Sequence, residues 1–365
     1  MQGIKKVYLD AEYTMNKKYI NDYPAQLKYL SRFFDEVSAL EYEVPRTHSS
    51  KFTELSELRK KSIDTINAIE RVNPDVIILG SDATDVFKIC NTFFKRKKIY
   101  VIQQSALRPF VEKQYSFKEK LSYLLYKYIL RVPILASNPW RKYTDNSIHF
   151  LWSEFFFLNP HKKYIATGNP AWDKVLSAFD GKYGYSSNRN IVCFATQPNF
   201  GTKEETIYVE FIEMVKEVIK LYSQLQFIIK VHPRENIEIY KKLFSAEEFD
   251  NVHIEKEEPI DKVLDRCFLL ITGWSMSGYE SIIKGIPVIL GNPGNKMDFS
   301  YLNPDNMLPV ASSLSVFSEE IKKLMQPNGY HEFLKERTKF LKKINTYDEP
   351  LSAEKIVESI RKDIF

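Results

Sequence analysis

Six short apolar runs recur along the chain, each rich in β-branched or aromatic residues, and segments with helical spacing lie between them. The runs are Pro74–Gly80, Lys98–Gln104, Ile191–Thr196, Phe227–Val231, Phe268–Thr272 and Pro287–Leu290. A strand with one wet face alternates apolar and polar residues, whereas an unbroken apolar run belongs to a strand covered on both faces. Strand and helix in regular alternation form the βαβ pattern of a parallel sheet with helices on both sides. Thr206 to Leu225 is one such helix, with Val209, Ile212, Val215 and Ile219 expected on its buried face. The fold class is therefore α/β.

At 365 residues the chain is too long for one ordinary domain and suits two. The stretch SAFDGKYGYSSNRN breaks the rhythm and reads as a linker. This divides the chain into 1–176, a linker at 177–190, a second domain at 191–345 and a C-terminal helix at 346–365 that is free to return to the first domain. Ile356, Ile360 and Ile364 give that helix an apolar face.

Charge and composition narrow the function. The net charge of +5 is mildly basic and evenly spread. It suits a phosphate-bearing ligand or an anionic membrane surface, and no nucleic-acid signature accompanies it. Cys90, Cys193 and Cys267 are far apart and lack metal spacing, so buried thiols in a reducing cytoplasm are expected. The start, MQGIKKVYLD, lacks the apolar core of a signal peptide, and no run is long enough to span a bilayer. Tyr115 to Ala136 interleaves Leu and Tyr with Lys118, Lys120, Lys127 and Arg131. Such a segment fits a helix lying on a membrane, or a core helix with a solvated basic face.

Candidate chemistry gathers where strands end. Gly273-Trp274-Ser275-Met276-Ser277-Gly278-Tyr279-Glu280 follows one strand and opens a helix that Gly285 closes. Free backbone N–H groups and serine hydroxyls there suit a phosphate, and Glu280 could accept from ribose hydroxyls. The plainer alternative is a capping box between Ser277 and Glu280. Lys230-Val231-His232-Pro233-Arg234 sits at the end of another strand, where Pro233 breaks the strand and holds His232 at its lip. His232 could donate to a phosphate oxygen or protonate a leaving phosphate, with charge from Lys230 or Arg234. Gln197 and Asn199, after a third strand, could face a base or sugar. In the first half, Asp82 is the first candidate for a catalytic base and Asp10 the second. Gln103-Gln104-Ser105 ends another strand nearby. No Walker loop, HExxH, CxxC or paired-carboxylate DxD motif is present, so neither a metal nor a cofactor is expected.

Taken together these segments resemble a known group. Lys230-Val231-His232-Pro233 resembles the HP motif, and Trp274-Ser275-Met276-Ser277 the serine motif, of bacterial sialyltransferases and polysialyltransferases. Capsule-polysaccharide transferases that use CMP-Kdo carry similar elements. Thr167-Gly168-Asn169-Pro170-Ala171-Trp172-Asp173-Lys174 resembles their "GNP…D" element. Ser277-Gly278-Tyr279-Glu280-Ser281 with Gly285-Ile286-Pro287 resembles the "SGGxxEE…GxP" element of UDP-N-acetylglucosamine 2-epimerases. The likeness spans roughly Pro74 to Gly291.

The resemblance implies a GT-B fold, two Rossmann-like domains facing a central cleft. It implies an inverting, metal-independent glycosyltransferase whose CMP phosphate meets His232 and Ser275 or Ser277. The acidic-acidic-Gly motif that supplies the base in that group has no clear copy here, and Gln103-Gln104-Ser105 stands where related chains read QHG. The expected donor-binding residues are Gln197, Lys230, His232, Pro233, Arg234, Trp274, Ser275, Met276, Ser277, Gly278 and Glu280. The expected partners are a nucleotide sugar, CMP-linked before UDP-linked, and a surface glycan or glycolipid acceptor. A 2-epimerase, a teichoic-acid-type glycerol or ribitol phosphotransferase and a non-catalytic binding protein are the competing readings.

Overall fold

The structure is a computed structural model. It describes residues 6–10, 36–40, 51–80, 85–103, 116–129, 147–157, 162–178, 190–202, 204–273, 275–345 and 351–364. The chain divides into two compact units, Met1–Asp173 with Ile344–Phe365, and Lys174–Lys343.

The first unit carries β1 (Lys6–Asp10), β2 (Glu36–Leu40), α1 (Lys51–Val72), β3 (Val76–Leu79), α2 (Asp85–Phe93) and β4 (Lys98–Ile102). Then come α3 (Phe117–Leu124), a π turn (Leu125–Ile129), β5 (Ile148–Leu151) and β6 (Lys163–Ala166). The strands pair in parallel in the order β2-β1-β3-β4-β5-β6. Side chains of a strand alternate between faces, so β3 and β4 feed two cores at once. Val76, Ile78, Tyr100 and Ile102 pack on one side against Ala353, Ile356, Val357 and Ile360. Ile77, Leu79, Ile99 and Val101 pack on the other against Ile69, Phe87 and Cys90.

The C-terminal helix α11 (Ser352–Ile364) thus completes the core of a sheet made some 250 residues earlier. Its far end is tied by Asp363, which accepts from Tyr100 Oη at 2.8 Å and pairs with Lys98 at 3.0 Å. Its near end is capped by Asp173, which accepts from the Ala353 N–H at 3.2 Å. The "GNP…D" segment is therefore a structural junction in this chain. Asn169 adds to it by donating its N–H to Asn345 Oδ1 at 2.8 Å.

Asp173 opens α4 (Asp173–Ala178), which leads into the second unit. There follow β7 (Ile191–Ala195), α5 (Glu205–Leu221), β8 (Gln226–Lys230), α6 (Ile237–Leu243), β9 (Val252–Glu255), α7 (Ile260–Leu264) and β10 (Leu269–Thr272). The unit ends with α8 (Ser277–Ile283), β11 (Val288–Gly291), β12 (Val310–Ala311), α9 (Leu314–Leu324) and α10 (Pro327–Ile344). Its parallel sheet runs β12-β11-β10-β7-β8-β9. This is the Rossmann order, and its direction of winding reverses between β7 and β10.

Helix α5 buries Tyr208, Phe211, Ile212, Val215, Val218 and Ile219. Val209, expected on that face, is instead 40% exposed. It lies one residue off the buried line, about 100° around the helix, and Tyr208 takes the inward place. All three cysteines are buried thiols. Among the described residues no helix is long and apolar enough to cross a membrane.

Candidate functional site

Ligands of open parallel sheets bind beyond the carboxyl ends of the strands, at the point where strand order reverses. In the second unit that point lies between β7 and β10, with β8 next to β7. The loops leaving these three strands hold Gln197, His232 and Ser275. They are stitched together just below the sheet edge. Thr272 Oγ1 donates to the Ala195 carbonyl at 3.1 Å, joining β10 to β7. The His232 N–H donates to Thr196 Oγ1 at 2.8 Å, joining β8 to β7. The Gln197 side chain lies over Gly273, where a Cβ would sit 2.3 Å from its Oε1. Only glycine permits that approach.

The His232 loop rests on a buried polar network. Thr196 Oγ1 donates to Glu235 Oε2 at 2.5 Å and Tyr240 Oη to Glu235 Oε1 at 2.5 Å. Tyr240 gives its hydrogen to Glu235, so in the 2.8 Å contact between the two phenols Tyr208 is the donor. Tyr208 in turn accepts the Gln197 N–H at 3.0 Å. The hydrogen bonds therefore run one way, from the β7 loop through α5 and α6 to the carboxylate. Burial pushes the Glu235 carboxyl above the usual range, while its hydroxyl donors pull the other way. Burial also pushes both phenols up. A buried carboxylate lacking such donors would be costly. Glu235, Tyr208 and Tyr240 were not among the expected residues.

Burial and neighbouring charges set the state of His232. Burial first, then the charges of Arg234, Lys230 and Lys256, pull the imidazole down to about 4. The ring is neutral near pH 7. Its Nδ1 accepts the Arg234 N–H at 3.1 Å, so the ring hydrogen is assigned to Nε2. His232 thus offers a neutral N–H donor at the sheet edge. Pro233 and Arg234 are exposed beside it.

Lys230, expected to supply charge at the lip, is buried instead, and its charge acts on His232 from within the protein. It is 7% exposed, and its ammonium donates to the carbonyls of Lys256 at 2.6 Å and Val231 at 3.4 Å. These carbonyls replace water around a buried cation and hold the turn after β9 in place.

The serine loop also departs from the expected form. Of the backbone N–H groups expected to be open to a phosphate, those of Ser277, Gly278, Tyr279 and Glu280 are engaged. The Ser277 N–H goes to Ser275 Oγ at 3.3 Å and the Gly278 N–H to the Ser275 carbonyl at 3.1 Å. The N–H groups of Tyr279 and Glu280 both go to the Met276 carbonyl, at 3.0 and 3.3 Å. Met276 stands at the N-cap without a side-chain cap bond, so neither serine forms the expected capping box.

Ser277 is 7% exposed and donates its hydroxyl to Ser275 Oγ at 3.0 Å. Ser275 Oγ accepts two hydrogen bonds, so its own hydrogen is the one available as a donor. Ser275, Met276 and Glu280 are half-buried. Gly278 is buried, and a Cβ there would meet nothing closer than 3.8 Å.

The far end of α8 is locked by a Schellman closure. Gly285, at φ +77°, donates its N–H to the Ile282 carbonyl, and Ile286 donates to Ser281, both at 2.9 Å. Arg337 of α10, 5% exposed, adds bonds to the carbonyls of Ile282 and Ile283 at 2.6 Å each.

In the first unit, winding reverses between β1 and β3. Asp10 is the last residue of β1. Asp82 follows β3 by three residues and, like Trp274, lies outside the described residues. Gln103 is 4% exposed and bonds Trp152 twice, accepting its backbone N–H on Oε1 and its indole N–H on the carbonyl, both at 2.9 Å. It is part of the frame.

No protein-family model matches the chain, and no curated protein sequence matches it significantly. Solved structures do match along nearly its whole length. A co-structure of S. aureus MnaA with UDP superposes with a TM-score of 0.61 at 16% identity, covering 99% of this chain and 97% of that one. The glycotransferase of kitacinnamycin superposes at 0.60 with 11% identity and full coverage of both chains (100% and 100%). The UDP-GlcNAc 2-epimerase of Neisseria meningitidis, bound to UDP-GlcNAc, superposes at 0.55 with 16% identity, covering 99% and 100%. Likeness at such low identity establishes architecture alone, and that architecture is the GT-B fold.

Proposed function

We propose that this chain is an inverting glycosyltransferase that takes its sugar from a pyrimidine-nucleotide donor bound at the carboxyl edge of the second sheet. The observation that carries the reading is the pair of donor hydrogens on loops flanking β7. The Nε2–H of His232 and the hydroxyl hydrogen of Ser275 are both left over after the internal hydrogen bonds are counted. Two fixed donors suit the phosphate oxygens on which negative charge grows as the glycosyl bond breaks.

With a value of about 4, only about one ring in a thousand would be protonated at pH 7. His232 therefore meets the phosphate as a neutral hydrogen-bond donor. Arg234 supplies nearby charge, Gln197 faces the base or sugar, and Glu280 takes a ribose hydroxyl. Met276 and Trp274 complete the loop. The acceptor is a surface glycan or glycolipid, deprotonated by Asp82 or, failing that, Asp10. No metal requirement is proposed, since the sequence carries no DxD pair. The reading has the protein working in the cytoplasm.

The HP and serine motifs favour CMP as the nucleotide. The UDP held by S. aureus MnaA makes UDP the second choice. The 2-epimerase reading is weaker. Where the epimerase element carries a second glutamate, Ser281 is fully buried here and bonds the Ile286 carbonyl at 3.0 Å.

The test is a thermal-shift panel of CMP, CDP, UMP, UDP, GDP and CDP-glycerol, with and without Mg²⁺. A saturating ligand at about 100 times its Kd adds roughly 2.7 kcal/mol. Stabilisation by CMP or UDP that His232→Ala and Ser275→Ala both abolish supports the proposal. Stabilisation by CDP-glycerol alone, or by nothing, sinks it.

A further inference from the structure

Helix α3 and the π turn that continues it expose an apolar face. Phe117 is 81% exposed, Leu121 57%, Leu124 38%, Leu125 42%, Tyr128 65% and Ile129 69%. These positions follow Phe117 by four, seven, eight, eleven and twelve residues. At about 100° per residue the first five share one side of the helix. Among the described residues of the helix, the buried one is Tyr123, on the other side. The apolar stripe therefore does not anchor the helix to its unit. Exposed Lys118 and Lys120 border it. The segment's one acidic residue, Glu119, is engaged in a capping box with the Ser116 N–H and hydroxyl, at 2.9 and 3.0 Å.

We propose that this face is a docking surface for an anionic lipid bilayer, with the helix lying in the plane of the headgroups. Side chains such as Phe, Leu and Ile gain by leaving water for the acyl boundary, and flanking lysines meet anionic headgroups. The charge pattern selects this occupant. A second copy of the chain would bring like-charged lysines against these, whereas a lipid surface neutralises them. With a net charge of +5, the chain adds attraction of the same sign. The inference is independent of the nucleotide reading.

The experiment sediments the full chain with vesicles of phosphatidylcholine alone and of phosphatidylcholine mixed with phosphatidylglycerol, at low and high salt. The expected result is preferential binding to the mixed vesicles that weakens as salt rises. Phe117→Ser/Leu121→Ser/Ile129→Ser should lower that binding at least tenfold while leaving the melting curve and any nucleotide shift unchanged. Lys118→Glu/Lys120→Glu should lower binding to the mixed vesicles only. The proposal is overturned if the wild type stays in solution with both vesicles, or if the triple variant binds as well as the wild type. It is also overturned if the wild type is a dimer that the triple substitution turns into a monomer, which would assign the face to a second copy.

Discussion

The His232 loop rises from β8 and the Ser275 loop from β10, one on each side of β7. Each presents one donor hydrogen, yet the supports beneath them differ. Under His232 the support is a chain of side chains, Tyr208, Tyr240 and Thr196 converging on the buried Glu235. Under Ser275 it is mostly backbone, a short helix closed at its far end by Gly285 and gripped by Arg337. A network centred on a carboxylate ties the first loop to the neighbouring strand. A helix held by its terminal carbonyls can be disturbed only through the element that grips it. The two supports should therefore fail in different ways.

The largest effect is expected on the serine side. Arg337→Ala removes two charge-assisted hydrogen bonds and leaves the last carbonyls of α8 beside a cavity. Losing hydrogen bonds from a charged group costs about 1.5–3 kcal/mol each, so a fall of about 3 kcal/mol in urea unfolding is expected. Arg337→Lys should recover little, because one ammonium cannot reproduce the fork between the carbonyls of Ile282 and Ile283. A cost below about 1 kcal/mol for the alanine variant would show that α8 does not depend on α10.

On the histidine side, Glu235→Ala strands the hydroxyls of Thr196 and Tyr240 without an acceptor. A buried unsatisfied donor costs about 1–3 kcal/mol, and about 2 kcal/mol is expected overall because Tyr240 can turn back toward Tyr208. Glu235→Gln keeps an acceptor and should cost less. The telling measurement is nucleotide stabilisation. It should weaken in Glu235→Ala, since the Thr196 hydroxyl that receives the His232 N–H is no longer held. Unchanged nucleotide shifts in that variant would reduce the network to a packing device.

How much of this was legible in the sequence follows from the range of each interaction. The six apolar runs correspond to β3, β4, β7, β8, β10 and β11, because a strand covered on both faces writes itself as unbroken apolar sequence. Gly285 was legible as a helix stop for an equally local reason. The buried face of α5 was misjudged at Val209, since Tyr208 and Val209 are both plausible core residues and only the partner at Tyr240 decides between them. Glu235 reads as one more charged loop residue after His232-Pro233-Arg234, and its donors come from positions 196 and 240. Whether Ser275 or Ser277 faces outward depends on the direction of one hydrogen bond, which no residue pattern encodes.

A smaller effect separates the loops by pH. The His232 ring is held at about 4 in the folded protein against about 6.5 when unfolded, so the unfolded chain takes up the proton first. The stability contributed by keeping the ring neutral is complete above about pH 6.5 and is lost as pH falls from there toward about 4. Allowing for partial exposure of the ring, about 1 kcal/mol should have gone by pH 5. His232→Gln should lose correspondingly less between pH 7.5 and 5, and Ser275→Ala should follow the wild type throughout. Parallel curves for wild type and His232→Gln would mean that the ring titrates normally.

The smallest effect tests which glycine the serine loop requires. The likeness to the 2-epimerase element draws attention to Gly278, but a Cβ there would meet Thr272, Val288 and Leu290 side chains at 3.8 Å, an ordinary contact. Gly278 is also the second residue of α8, where alanine is the better helix former. Gly278→Ala should therefore leave stability within about 0.5 kcal/mol of wild type or raise it slightly, with nucleotide shifts intact. Gly273 is the contrasting case. Its Cβ would push on Gln197 Oε1, the flexible end of a side chain. Gly273→Ala should then cost little stability while changing nucleotide stabilisation, because Gln197 must leave its place between the β7 and β10 loops. Equal nucleotide shifts for both variants would remove Gln197 from the donor site. A loss confined to Gly278→Ala would mean that the ligand approaches the first turn of α8 itself.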